Sequence, residues 1–370
     1  MKKSVITLAL VLVIAMLTGC AGTPVVYYSD CTCPTGAYTE IAPVETTAPV
    51  ETINPVESTP VAEGAVKTGV AILANANDSK NAGDADGEAK YDVTIVAVTV
   101  DDNGVIQSCI IDSIGTSVLF DVNGAIVSDL TAPIQTKNEL GENYGMKLYG
   151  GSKYEWNEQA AALAEYAVGK TYMELQNMAI DDTGYAADAD LATTATIQLG
   201  GYVFGIATAV GNAQHLGAQA GDELKLGINA SVSSSKSADA ENEGLAQLDV
   251  DAVALTMRDG VITSAQIDSV QAKVTFDTTG TVTSGNDLPD GPFYTKNQLG
   301  ADYGMVAWGG AIAEWNEQAA SFAAYITGKT AADVAGIAVD ETTKPTDADL
   351  LTSVTIKIGD FQALIAKACN

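Results

Sequence analysis

Glu155-Trp156-Asn157-Glu158-Gln159 occurs a second time in the chain, as Glu314-Trp315-Asn316-Glu317-Gln318, an offset of 159 residues. The same offset carries Tyr144-Gly145-Met146 into Tyr303-Gly304-Met305 and Gly169-Lys170-Thr171 into Gly328-Lys329-Thr330. It also carries Asp188-Ala189-Asp190-Leu191 into Asp347-Ala348-Asp349-Leu350. Between Tyr144 and Thr171, 17 of 28 positions are identical to their counterparts, so the chain contains an internal duplication. Each unit is about the size of a domain and far longer than a solenoid repeat. The expected organisation is two tandem copies of one domain, residues 66–215 and 225–370.

Outward from the repeated tryptophan, Trp156, Ala160, Leu163 and Ala167 fall on one helical stripe, matched by Trp315, Ala319, Phe322 and Ile326. Gly169 and Gly328 fit as helix stops, and Thr171-x-x-Glu174 and Thr330-x-x-Asp333 as caps of a following helix. Upstream, Val93 to Val100 is a β-branched run that turns at Asp102-Asn103-Gly104 and returns over Val105 to Ile114. Ala252 to Met257, Asp259-Gly260 and Val261 to Val270 repeat that hairpin. Strands followed by helices, in blocks, predict an α+β fold. Because each copy carries its own strands, stripe and caps, each is expected to fold alone.

The N-terminus reads as a processing signal. Lys2 and Lys3 precede an apolar run from Val5 to Leu17, and Leu17-Thr18-Gly19-Cys20 resembles a lipobox. Residues 1–20 are therefore expected to be a lipoprotein signal peptide, with Cys20 lipidated and the chain held on the extracellular face of the cell membrane. Residues 21–65 read as an extended tether: Pro-Val-Glu recurs at Pro43, Pro49 and Pro55, and a polyproline-like stretch would reach on the order of 100 Å.

An excess of 47 Asp and Glu over 18 Lys and Arg, net charge −29, argues against nucleic acid as partner, since phosphate contacts need clustered cations. It equally disfavours electrostatic docking on anionic lipid, leaving the lipid anchor as the membrane contact. Cys31, Cys33, Cys109 and Cys369 do not form a disulfide framework, and His215 is the chain's single histidine, which rules out a His-based metal site or catalytic triad in each copy. Gly-Lys-Thr is not a P-loop, because the glycine required five positions earlier is Ala164 or Ala323 and the triplet follows a helix.

The most informative segment is Asp190-Leu191-Ala192-Thr193-Thr194-Ala195-Thr196, paired with Asp349-Leu350-Leu351-Thr352-Ser353-Val354-Thr355. Here the chain resembles the FMN-binding domains of exported bacterial flavoproteins, whose Asp-x-x-Ser/Thr-Gly-Ala-Thr motif carries FMN as a phosphoester on its last threonine. With lipobox, tether and tandem units, the whole chain looks like the pheromone-encoding, FMN-binding surface lipoproteins of Gram-positive bacteria that serve flavin-based extracellular electron transfer. The resemblance implies Thr196 and Thr355 as acceptors, Asp190 and Asp349 as motif acids, and Thr193 and Thr352 within the motif. It implies FMN attached by a flavin transferase, and electrons received from a membrane flavin reductase or a quinone-linked donor. The chain departs from the pattern where the glycine is Thr194 or Ser353 and the alanine is Val354, so Thr196 is expected to load better than Thr355. Tyr144, Tyr149 and Trp156, with Tyr303, Trp308 and Trp315, are the candidates for lining the flavin ring. The competing expectation is a non-enzymatic surface module that binds a glycan, peptide or wall ligand, with two copies giving avidity.

Overall fold

The computed structural model describes residues 64–284 and 293–369. The signal segment with Cys20, the tether up to residue 63, and Cys31 and Cys33 lie outside these residues. At the tether's inner end, Ala65 already pairs with Gln219 and the Val66 amide donates to Ala218 O at 3.0 Å, so the fold begins slightly before residue 66.

The chain forms two antiparallel sheets with separate runs of helices, an α+β arrangement. The first sheet is β1 (Lys67–Asn75), β2 (Gly87–Val100) and β3 (Ile106–Phe120), in that order. Helices α1 (Lys137–Leu140), α2 (Trp156–Ala167), α3 (Tyr172–Gln176), α4 (Ala189–Ala192) and α5 (Gly200–Asn212) follow. The second sheet is β4 (Glu223–Ser231), β5 (Gly244–Arg258), β6 (Val261–Phe276) and β7 (Val282–Ser284). After it come α6 (Lys296–Leu299), α7 (Met305–Gly309), α8 (Trp315–Ile326), α9 (Ala331–Ala335) and α10 (Gly359–Cys369).

The expected hairpins form, with β2 pairing β3 and β5 pairing β6. The expected helix stripes are buried: Trp156, Ala160, Leu163 and Ala167 on α2, and Trp315, Ala319, Phe322 and Ile326 on α8. Thr171 with Glu174, and Thr330 with Asp333, form complete capping boxes on α3 and α9. The opening strands β1 and β4 were not expected from the hairpin pattern, and glycine explains why. Gly69 and Gly227 weaken both runs as strand formers, yet no larger residue fits there. A Cβ on Gly69 would lie 2.1 Å from Ala209 O on α5, and one on Gly227 would lie 2.5 Å from Leu364 O on α10.

Alternation along the strands sorts side chains into layers. Ala71, Val96 and Val98 face α2 and α5, while Val253 and Leu255 face α8 and α10. The opposite faces meet one another: Val70, Ile72, Val93 and Ile95 share a core with Ile228, Leu248, Val250 and Val270. Phe120 and Phe276 stack there at 4.0 Å between centroids, and Tyr91 Oη donates to Ala246 O at 2.8 Å. The two halves thus share this core, so the expectation that each folds alone has to reckon with inner sheet faces that are buried largely against each other.

One buried carboxylate on β6 gives a pH signature. Asp268 accepts from the Ser269 and Asn297 amides at 2.8 and 3.1 Å, yet burial outweighs these bonds and pushes its pKa up to about 6. A folded-state pKa above the unfolded value contributes stability below about pH 4 that is lost as pH rises through 6. The shift corresponds to about 3 kcal/mol. Asp268→Asn cannot ionise, so its stability relative to wild type should rise by about that amount between pH 4 and pH 7 in urea titrations. A gap that does not change with pH would contradict the assignment.

Candidate functional site

Each half brings the repeated Glu-Trp-Asn-Glu-Gln stretch to the threonine loop. Glu155, 2% exposed, accepts from the Met146 and Lys147 amides at 2.8 and 3.1 Å, and Glu158 completes the α2 capping box by accepting from the Glu155 amide. Glu314 and Glu317 do the same for Met305, Val306 and the start of α8. The recurrence of the motif thus has a local cause: its first carboxylate ties the Tyr-Gly-Met loop to a helix start.

The glutamine does the equivalent for the other loop. Gln159, fully buried, accepts through Oε1 from Thr196 N at 2.6 Å and from Thr196 Oγ1 at 3.0 Å, while its Nε2 donates to Tyr154 O. Gln318 accepts from Thr355 N and Oγ1 at 2.7 and 3.1 Å and donates to Ala313 O. Both candidate acceptor hydroxyls therefore sit in the same geometry at the ends of α2 and α8, Thr196 exposed and Thr355 half-buried.

The other motif positions serve the loop itself. Thr193 Oγ1 donates to Asp190 O at 3.1 Å and Thr352 Oγ1 to Asp349 O at 2.7 Å. Asp190 and Asp349 are exposed. The acids that build the loop stand two residues earlier, a role that sequence reasoning passed over. Asp188 accepts from the Asp190 and Leu191 amides, and Asp347 from those of Asp349 and Leu350. Such aspartates are ordinary N-caps, and the Asp-Ala-Asp-Leu repeat carried that signal.

Trp156 and Trp315 are core residues, 2% and 6% exposed. Trp156 Nε1 donates to Tyr202 Oη at 3.0 Å, and Trp315 packs edge-to-face on Phe361 at 5.9 Å. A lysine that the sequence did not mark joins each to its tyrosine. Lys137 Nζ lies 5.2 Å from the Tyr144 ring and 5.1 Å from Trp156, and Lys296 Nζ lies 5.4 Å from Tyr303 and 4.7 Å from Trp315. Burial lowers the Lys296 pKa, an effect that Asp251 and Asp249 oppose. Tyr144 is half-exposed, and Tyr303 donates to Gln271 Oε1 at 3.3 Å.

In the second half these groups border a cavity of about 470 Å³, within the usual range for small-molecule sites. Lys296, Trp315 and Thr355 line it, with Lys344, Lys357 and Phe361. Asp251 and Asp360 also reach it, so its cationic character is partly offset. A hydroxyl and three lysine ammonium groups suit a ligand bearing a phosphate. Each hydroxyl donates to an amide oxygen, which is too weak a base to take its proton. Among the described residues no helix is long and apolar enough to cross a membrane. No protein-family model, curated protein or solved structure matches this chain.

Proposed function

We propose that this chain is a lipid-anchored extracellular flavoprotein, in which two tandem copies of one domain each carry FMN and pass electrons from a membrane flavin reductase or quinone-linked donor to external acceptors. The observation that carries this reading is the recurrence of one arrangement: a loop threonine hydroxyl held by a buried glutamine, at Thr196 and again at Thr355, the second bordering the cavity. In the attachment step the threonine Oγ bonds to the flavin-side phosphorus of a flavin-bearing pyrophosphate. The P–O–P bridge breaks, a nucleoside monophosphate leaves, and the hydroxyl proton goes to a base. Because Gln159 and Gln318 orient the hydroxyl without being able to deprotonate it, the base comes from a separate transferase. The flavin would supply the one- and two-electron chemistry. The lysines would balance the phosphate charge, and Cys20 would hold the assembly at the membrane by its lipid.

After co-expression with an active flavin transferase, intact mass should resolve zero, one or two additions of FMN less water. Thr196→Ala and Thr355→Ala should each remove one addition at a stability cost of only about 1 kcal/mol, the worth of one hydrogen bond. Absence of flavin on both threonines, with a control substrate modified in the same cells, would retire the reading. A second reading, a surface module for a glycan or wall ligand, draws support from the bare aromatics Tyr149 and Trp308 and would leave the protein colourless.

A further inference from the structure

Tyr149 and Trp308 stand at matching places in the two halves and are 84% and 89% exposed. A large ring held in water twice over forgoes the burial that usually places such residues in cores or interfaces. Both rings rest on a glycine. A Cβ on Gly304 would lie 2.1 Å from Trp308 Cδ1, and one on Gly145 would lie 2.6 Å from Tyr149 Cδ2. These glycines have φ near +80°, and a second left-handed glycine ends each segment, Gly310 at +62° and Gly151 at +64°. The segment is pinned at its start, where Glu314 accepts from Met305 and Val306, whereas its aromatic residue makes no core contact.

The position of the ring relative to the cavity gives it a use. Met305, Gly309 and Ala311 form part of the wall of the Thr355 cavity, while Trp308, on the same short helix α7, lies outside it. Trp315 inside the wall is already covered, by Lys296 on one side and Phe361 edge-on, and has little free face for a ligand. We propose that Trp308 is the stacking residue of the Thr355 site, with Tyr149 its counterpart at Thr196: the Trp308 ring turns from its parked position on glycine and lies over a planar heteroaromatic ligand in the adjoining cavity. The glycines allow this, since the parked ring is almost wholly exposed and the left-handed hinges permit a small swing. This assignment rests on the flavin reading; the choice of these two aromatics over Trp156 and Trp315 follows from exposure.

Full-length protein loaded by the transferase tests this, because an indole or phenol stacked on a flavin quenches its fluorescence. With loading measured by intact mass, fluorescence per attached flavin should rise several-fold in Trp308→Ala combined with Tyr149→Ala. Trp308→Tyr should keep it low, since the first half uses tyrosine at this place. The exposed position of both residues means that the variants keep the fold, which circular dichroism checks. Equal fluorescence per flavin in wild type and the double variant, at equal loading, would overturn the stacking assignment and leave the flavin reading intact. No flavin on either threonine would overturn the flavin reading and this assignment with it.

Discussion

A fragment of residues 223–370 should fail to hold a stable tertiary structure, although it carries a complete sheet and all of the second set of helices. The reason is the inner face of that sheet. Ile228, Leu248, Val250, Val270, Val274 and Phe276 are all buried in the core shared with the first sheet. At about 1.5 kcal/mol or more for each such side chain, exposing them forgoes roughly 9 kcal/mol. That is comparable to the whole ~5–15 kcal/mol that keeps an ordinary domain folded. The fragment should lose near-ultraviolet circular dichroism and bind hydrophobic dye, and mixing it with the complementary fragment should restore structure. Within the intact chain, Phe120→Ala should cost about 3–5 kcal/mol by leaving Phe276 without its stacking partner. That loss should appear as one earlier transition for both halves. A fragment that unfolds cooperatively at the denaturant concentration of the full chain would disprove the shared-core account.

The second large effect is expected at Glu155. Its carboxylate takes hydrogen bonds from the Met146 and Lys147 amides and, as the α2 cap, from the backbone at Glu158. Glu155→Ala leaves three backbone donors without an acceptor in a buried place. At about 1–3 kcal/mol for each, the loss is on the order of 3–9 kcal/mol. Glu155→Gln keeps an acceptor oxygen and should cost much less. The site should register the change too, because the loop from Tyr144 to Gly150 depends on this carboxylate for its position. Hydrogen exchange at the Met146 and Lys147 amides should accelerate in the alanine variant well before global unfolding, and Glu314→Ala should behave alike at Met305 and Val306. Alanine and glutamine variants of equal stability would show that the carboxylate is not what fixes the loop.

Much of this architecture was legible in the sequence because its causes are local. The stripes on α2 and α8 follow from 3.6-residue spacing, the capping boxes from residues three apart, and the hairpins from a turn between two β-branched runs. The repeated Glu-Trp-Asn-Glu-Gln was visible as a constraint without its cause, because what its glutamine holds lies 37 residues away in the chain.

Tertiary structure alone decided which surfaces the two halves share. Strands whose residues are apolar on both faces say that both faces are covered but not by what, and the contact from Tyr91 to Ala246 spans 155 residues. It alone placed Gly69 and Gly227 in strands, since the demand for a missing side chain comes from the helix backbones of α5 and α10 that cross them. It alone separated the aromatic residues. Trp156 and Trp308 are both large apolar residues in their sequence contexts, but one is packed against α5 and the other lies bare on glycine beside a cavity. Spacing along a chain encodes which side of an element a residue occupies, whereas what stands opposite that side is set by packing between elements far apart in sequence.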